Sequence, residues 1–280
     1  MRSPMKLAAA LSVSALALSA CGGGGEDTTA GEATSDVKAC MAYDVGGRGD
    51  QSFNDSAAKG LDKAKDELGV TTDEVEAKQG DNDAAREDRL NTLVDDGCTN
   101  IIAVGFIYGK AVGKAAKANP DVHFAIIDDA SKDSAGDNVA QLTFAEQEGS
   151  YLVGAAAAGM YDKGADVVYH AAGGSGTGVF KAAKKANKMA IGVDSDQAKT
   201  AEAGLRSVIL TSMVKNVDVA VFDYIKAATT GENKAGNIVY DLKQDGVGYS
   251  TTGGRVDDIK DKLEGYKKDI IDGKVTVPEK

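Results

Sequence analysis

The chain of 280 residues contains no Trp, three Pro, three Cys and two His, and its aromatic residues amount to 5%. With so few rings, the interior has to be built from small aliphatic side chains on helices and strands. Three cysteines cannot form a disulfide-dense scaffold, and no Cys-x-x-Cys or His-x-x-x-His pair marks a metal site. Positive charge is also short. Lys and Arg number 32 against 43 Asp and Glu, a formal net charge of −11, which makes nucleic acid a poor partner. What remains is ordinary for a globular protein, 42% hydrophobic and 27% charged, with 34 Gly and much Ala and Val, the composition of an α/β protein.

Arg2 and Lys6 precede an apolar run over residues 7–20 made of Leu, Ala, Ser and Val, too short to cross about 30 Å of hydrocarbon as a helix. Residues 1–20 therefore read as a signal peptide. The run ends in Leu18-Ser19-Ala20-Cys21, which resembles the bacterial lipobox, so Cys21 is the expected lipidation site and mature N-terminus. A glycine and polar tether over 21–35 follows. Cleavage removes two positive charges and no carboxylate, so the acyl anchor, and not surface charge, has to hold the protein at an anionic membrane on its extracytoplasmic face. Export leaves two readings of Cys40 and Cys98. They either pair, closing a loop worth up to about 4 kcal/mol on the chain-entropy estimate, or remain two buried thiols.

From Val37 onward, short apolar runs alternate with helical periodicity. Strands are expected at 38–43, 74–78, 101–104, 124–127, 139–143, 167–169, 189–193 and 238–240. Between them, Ala57, Leu61, Ala64 and Leu68 mark one helix closed by Gly69. Others end at Gly97 and at Asn119-Pro120, or span 146–163 and 179–188. Val214, Val217, Val221 and Ile225 predict a helix begun by Ser212, with Lys215 in its first turn, and Val256, Ile259, Leu263, Tyr266 and Ile270 predict a last one. Buried strands separated by helices imply doubly wound parallel sheets, here as two lobes in series, 36–145 and 146–280, with part of 212–250 returning to the first. The sequence shows no internal repeat.

In such sheets ligands bind beyond the carboxyl ends of the strands. Three apolar strands end in a carboxylate, at Asp44, Asp128 and Asp194, an expensive place for charge unless something accepts it, although a solvated turn is the plain alternative for any one of them. Glycine-rich loops follow at 46–54, at Gly105-Phe106 and at 173–178. None has dinucleotide or P-loop spacing, and no cofactor is implied. His123 and His170 stand alone and read as structural. The Arg48-Gly49-Asp50 tripeptide reads as coincidental.

Asp44-Val45-Gly46-Gly47-Arg48-Gly49-Asp50-Gln51-Ser52-Phe53-Asn54, Phe124-Ala125-Ile126-Ile127-Asp128, Phe144-Ala145-Glu146-Gln147-Glu148-Gly149, Ala165-Asp166-Val167-Val168-Tyr169 and Ile191-Gly192-Val193-Asp194 resemble, in order, the basic membrane protein family. Its members are lipoprotein substrate-binding proteins of ABC importers with the type I periplasmic-binding-protein fold, and characterised ones bind purine nucleosides. The resemblance implies a nucleoside ligand, an ABC permease as partner, two hinged lobes and no bond broken. It also implies roles. Phe53 stacks on the base, Asn54 and Asp128 bond its edge, and Asp44 orders the loop or meets the ligand's polar rim. Asp194 accepts both ribose hydroxyls, Gly173 and Gly174 present backbone beside the sugar, and Lys215 donates to the ribose and offsets Asp194.

The chain departs from the family in one place. Gly154-Ala155-Ala156-Ala157-Ala158 runs directly into Gly159-Met160-Tyr161, where the family carries roughly 60 further residues, about two βα units. The expected consequences are a reduced second lobe, loss of the aromatic that closes the other side of the base, and weak nucleoside binding or none; Tyr169 and Phe180 are the candidate substitutes. A sugar or other small polar ligand, a truncated relative with impaired binding and, last, a secreted nucleoside hydrolase are the competing functions. The hydrolase lacks its dense Asp cluster at a strand end.

Overall fold

The computed structural model describes residues 36–161 and 166–278. The signal peptide, Cys21 and the tether, all expectations from sequence, lie outside the described residues. In chain order the elements are β1 (Lys38–Tyr43), α1 (Phe53–Leu68), β2 (Thr71–Glu76), α2 (Asp83–Asp95), β3 (Asn100–Val104), α3 (Gly109–Ala118), β4 (His123–Ile127), β5 (Val139–Phe144) and α4 (Glu146–Tyr161). They continue with β6 (Val167–Tyr169), α5 (Gly176–Ala186), β7 (Met189–Asp194), α6 (Gln197–Thr200), β8 (Ile209–Lys215), α7 (Val217–Thr229), β9 (Gly236–Tyr240), β10 (Val247–Tyr249) and α8 (Lys260–Ile271).

The strands form two sheets. One has six parallel strands in the order β2-β1-β3-β4-β5-β9, and the other four in the order β10-β8-β7-β6, with only β10 antiparallel. The inner strands β1, β3 and β4 are buried almost throughout, because helices cover both faces of a parallel sheet and leave no solvated side for alternation to mark. One face of the larger sheet packs on α1 and α7 through Met41, Ile102, Leu61, Val221 and Ile225. The other packs on α2 and α3 through Leu90, Leu93, Val112 and Phe124. On that second face Cys40 and Cys98 are joined in a disulfide, with Cα atoms 5.9 Å apart. The smaller sheet has its own two cores, Val153, Val193, Leu210 and Leu263 on one face and Phe180, Ala190, Leu205 and Ile209 on the other.

The chain passes from the first sheet to the second after β5, returns through α7 to β9, and crosses again to β10. Helix α7, between those crossings, lies against α1 so closely that a Cβ on Gly60 would fall 2.5 Å from the Asp218 carbonyl.

Several boundaries differ from those expected. β2 starts at Thr71 instead of 74, because β-branched Thr71-Thr72 extend the edge strand N-terminally. α5 starts three residues early at Gly176, and α8 is preceded by a 3-10 turn over Asp257–Ile259. The larger correction concerns Ser212 and Lys215. Neither belongs to a helix. Residues Ile209–Lys215 are β8, a central strand of the second sheet, and the helix begins after Asn216. Val214 shares the spacing of Val217, Val221 and Ile225 by chance, while it and its strand neighbours Ile209 and Thr211 are β-branched and buried or nearly so.

Candidate functional site

A cavity of about 880 Å³ lies where the carboxyl ends of the two sets of strands face each other. From the first sheet it is lined by the loop after β1, Gly105 and Phe106 after β3, Asp128 after β4, and Glu146 and Ser150 of α4. From the second come Tyr169 at the end of β6, the 171–175 loop, Asp194 of β7 and Lys215 of β8. All eight residues singled out from sequence, Asp44, Phe53, Asn54, Asp128, Gly173, Gly174, Asp194 and Lys215, are on this wall.

The backbone puts them there at a cost. Asp128 and Asp194, at matching strand ends, both have left-handed backbone, with φ of +63° and +64°. Such conformations cost a non-glycine residue on the order of 1–3 kcal/mol and are kept where the surroundings over-determine them. Gly105, with φ of +98°, meets that need without a side chain, and a Cβ there would stand 3.1 Å from the Asp44 carboxylate.

Lys215 is the electrostatic centre. Its ammonium pairs with Asp128 and, at 3.5 Å, with Glu146, and it lies 4.8 Å from the Phe53 ring centroid and 5.3 Å from that of Phe144. Burial works against this cation, but Asp128, Asp194 and Glu146 outweigh it and hold the Lys215 pKa above its usual value. Burial pushes the carboxyls of Asp194, Glu146 and Asp44 above the ordinary carboxylate range; Lys215 opposes the rise at Asp194 and Glu146. Asp194 is 7% exposed and accepts from the Ser52 hydroxyl at 2.5 Å. One oxygen of Asp128, Oδ1, is buried without a protein partner.

The structure adds detail to two expectations. Asn54 lines the cavity and each end of its amide also makes one bond to the loop: Oδ1 accepts from the Asp44 backbone N–H at 3.1 Å and Nδ2 donates to Asp50 at 3.1 Å. Of the two candidate aromatics, Phe180 is buried against His170 in the core, with ring centroids 5.1 Å apart, whereas Tyr169 is 41% exposed and lines the cavity. Sequence reasoning missed Glu146, although the same signal was present: a carboxylate two residues after the apolar end of β5. It also missed Ser52, whose hydroxyl has nothing local in sequence to announce its partner.

Five carboxylates on this wall, Asp44, Asp50, Asp128, Glu146 and Asp194, face a single ammonium, so the site favours neutral or cationic ligands rich in donors. Among the described residues no group of three or more His, Cys, Asp or Glu is placed to hold a metal ion.

The family model described as ABC transporter substrate-binding protein, PnrA-like, matches residues 37–160 and 155–280, two segments that meet in the Ala-rich stretch of α4. The chain is 32% identical to the CD4+ T-cell-stimulating antigen of Listeria innocua, covering 95% of this chain and 96% of that protein. That alignment runs over 343 positions, more than the whole length of this chain, so the relative carries residues that this chain lacks. The chain is also 30% identical to the ABC transporter nucleoside-binding protein BmpA of Lactococcus lactis, over 96% of this chain and 99% of that one. A crystallised ABC transporter solute-binding protein of Aeropyrum pernix superposes with a TM-score of 0.71 at 26% identity, over 87% of this chain and 94% of that one. Two α/β sheets joined by repeated crossings, a cavity at their facing carboxyl ends and these matches along the whole folded region place the chain in the Bmp family of PnrA-like ABC transporter substrate-binding proteins.

Proposed function

We propose that the protein is a lipid-anchored, extracytoplasmic receptor that takes a purine nucleoside into the cavity between its lobes, 36–145 with the returning 217–240 segment and the rest of 146–280, and presents it to an ABC permease. The observation that carries this reading is the pairing of ring surface with donor-seeking carboxylates on one wall: Phe53 and Tyr169 beside Asp128 and Asp194. A ring offers a stacking face worth about 1–3 kcal/mol to a planar base. An ionised carboxylate accepts two hydroxyl donors, which suits the cis pair of a ribose, and the unpartnered Oδ1 of Asp128 suits a base N–H. Lys215 opposes the rise that burial imposes on the Asp194 carboxyl, which favours its acceptor form. The anchor reading rests on the lipobox-like Leu18-Ser19-Ala20-Cys21.

Isothermal titration of the purified protein with inosine and guanosine is the test. Because the family's second aromatic wall falls in the stretch this chain lacks, the expected Kd is on the order of 1–100 μM, about −8 to −5 kcal/mol. Absence of heat at millimolar nucleoside overturns the ligand; a sub-micromolar Kd overturns the weakened site. Mass spectrometry of the lipid-modified protein from its native membrane tests the anchor at Cys21.

A further inference from the structure

Ser52 occupies the N-cap of α1, where a serine hydroxyl ordinarily accepts from a backbone N–H of the first turn. It makes no such bond. Asp50 does that work, its carboxylate accepting from the backbone N–H groups of Ser52, Asn54 and Asp55 at 2.8, 2.9 and 3.1 Å. The Ser52 hydroxyl is thereby released from capping and donates instead to Asp194 Oδ2, 142 residues along the chain and on the other sheet. Beside it, the Gln51 carbonyl accepts from Ser195 Oγ at 2.9 Å and from Thr200 Oγ1 at 3.5 Å, again across the cleft. Gln51 and Asp194, one on each side of this cluster, both have left-handed backbone, φ of +54° and +64°. Gly174 of the second lobe's loop also comes near, its Cβ position lying 3.6 Å from the Asp50 carbonyl, an ordinary van der Waals distance.

We propose that Gln51 and Ser52 are the first lobe's half of a latch whose second half is Asp194, Ser195 and Thr200, and that Ser52 is a positioning residue for the ligand-facing carboxylate of Asp194. One hydrogen bond then does two things. It draws the lobes together, and it fixes the rotamer of the acceptor on which the ligand's hydroxyls close. Lobe closure and ligand recognition are coupled because they share a carboxylate. The latch consists of bonds within the chain and rests on the nucleoside reading only for the ligand's identity.

The test separates the two. X-ray scattering of the protein alone gives the radius of gyration, and titration with inosine gives affinity. Ser52→Ala is expected to enlarge the radius and to weaken inosine binding at least ten-fold, and Ser52→Thr, which keeps the hydroxyl, to restore both. An unchanged radius in Ser52→Ala, or no restoration in Ser52→Thr, overturns the latch. If the wild-type chain takes no inosine, the nucleoside reading fails while the scattering comparison still decides the latch. Should Ser52→Ala not fold, Ser195→Ala carries the same scattering comparison from the other lobe.

Discussion

Lys215 shows how one residue can be necessary to a fold and to its site by the same interaction. Its ammonium is buried beside Asp128, Glu146 and Asp194, and removing one partner of a buried ionic cluster usually costs about 3–5 kcal/mol, because the remaining charges lose their compensation. Lys215→Met keeps the stem and deletes the charge. With the cation gone, Asp194 and Glu146, already raised by burial, rise further. A carboxyl whose folded pKa lies above its unfolded value binds more protons in the native state, so stability falls as pH climbs from the unfolded value through the folded one. Lys215→Met should therefore lose about 3–5 kcal/mol near pH 8 and distinctly less near pH 5, a slope of the same sign as the wild type's from these raised carboxyls but steeper. Denaturant titrations at the two pH values check it, and equal losses at both would contradict the ionic account. The carboxylates of this cluster were visible in the sequence wherever an apolar strand ended in one, as at Asp128 and Asp194. The roles of Asn54 and Ser52 were not, since each depends on whether Asp50 or the serine caps α1, a choice between neighbours that spacing does not settle.

At the scale of elements, the helices packed on buried strands were readable from periodicity, and the errors fall where periodicity is shared. β8 has an apolar run of strand length that flows into the amphipathic face of α7, so a helical spacing counted backward from Val217 captures Val214 as well. Long-range pairing distinguishes the two: β8 is held by β7, with Ile191 opposite Thr211 and Gly192 opposite Ser212, and by β10 on its other side. The contact of α1 with α7 is a second feature that no single-element pattern reveals. Gly60→Ala adds a methyl 2.5 Å from a backbone oxygen and 2.8 Å from Val221 Cβ, contacts that must be relieved by moving a helix. Helix propensity gains about 1 kcal/mol from the same change, but overpacking costs about 1–3, so the expected net effect is destabilisation. Gly265→Ala in α8 meets nothing within 4 Å and should stabilise by about 0.5–1 kcal/mol. Thermal unfolding of the pair distinguishes packing from propensity: the two alanines should shift Tm in opposite directions, and a shift of the same sign in both would mean that the α1–α7 contact yields freely.

For the whole molecule, the charge balance read at the start becomes a statement about ligands. The chain carries a formal −11, and the cavity concentrates that sign, with five carboxylates and one ammonium on its wall. Lys215 is already neutralised by Asp128 and Glu146, so no cationic group on the wall is left to meet a phosphate. On the proposed nucleoside reading, a phosphate attached to the ribose brings its charge toward Asp194 in a partly desolvated site, where like charges repel by several times their strength in water. The expectation is that inosine monophosphate binds at least 100-fold more weakly than inosine, about 3 kcal/mol, and that raising salt from 0.05 to 0.5 M narrows the gap only in part, since screening reaches the cavity mouth better than its floor. Titration of both ligands at the two salt concentrations tests this. Equal affinity for the two would mean that the phosphate stays in solvent and that the ribose end of the ligand points out of the cleft, reversing the orientation argued from Asp194.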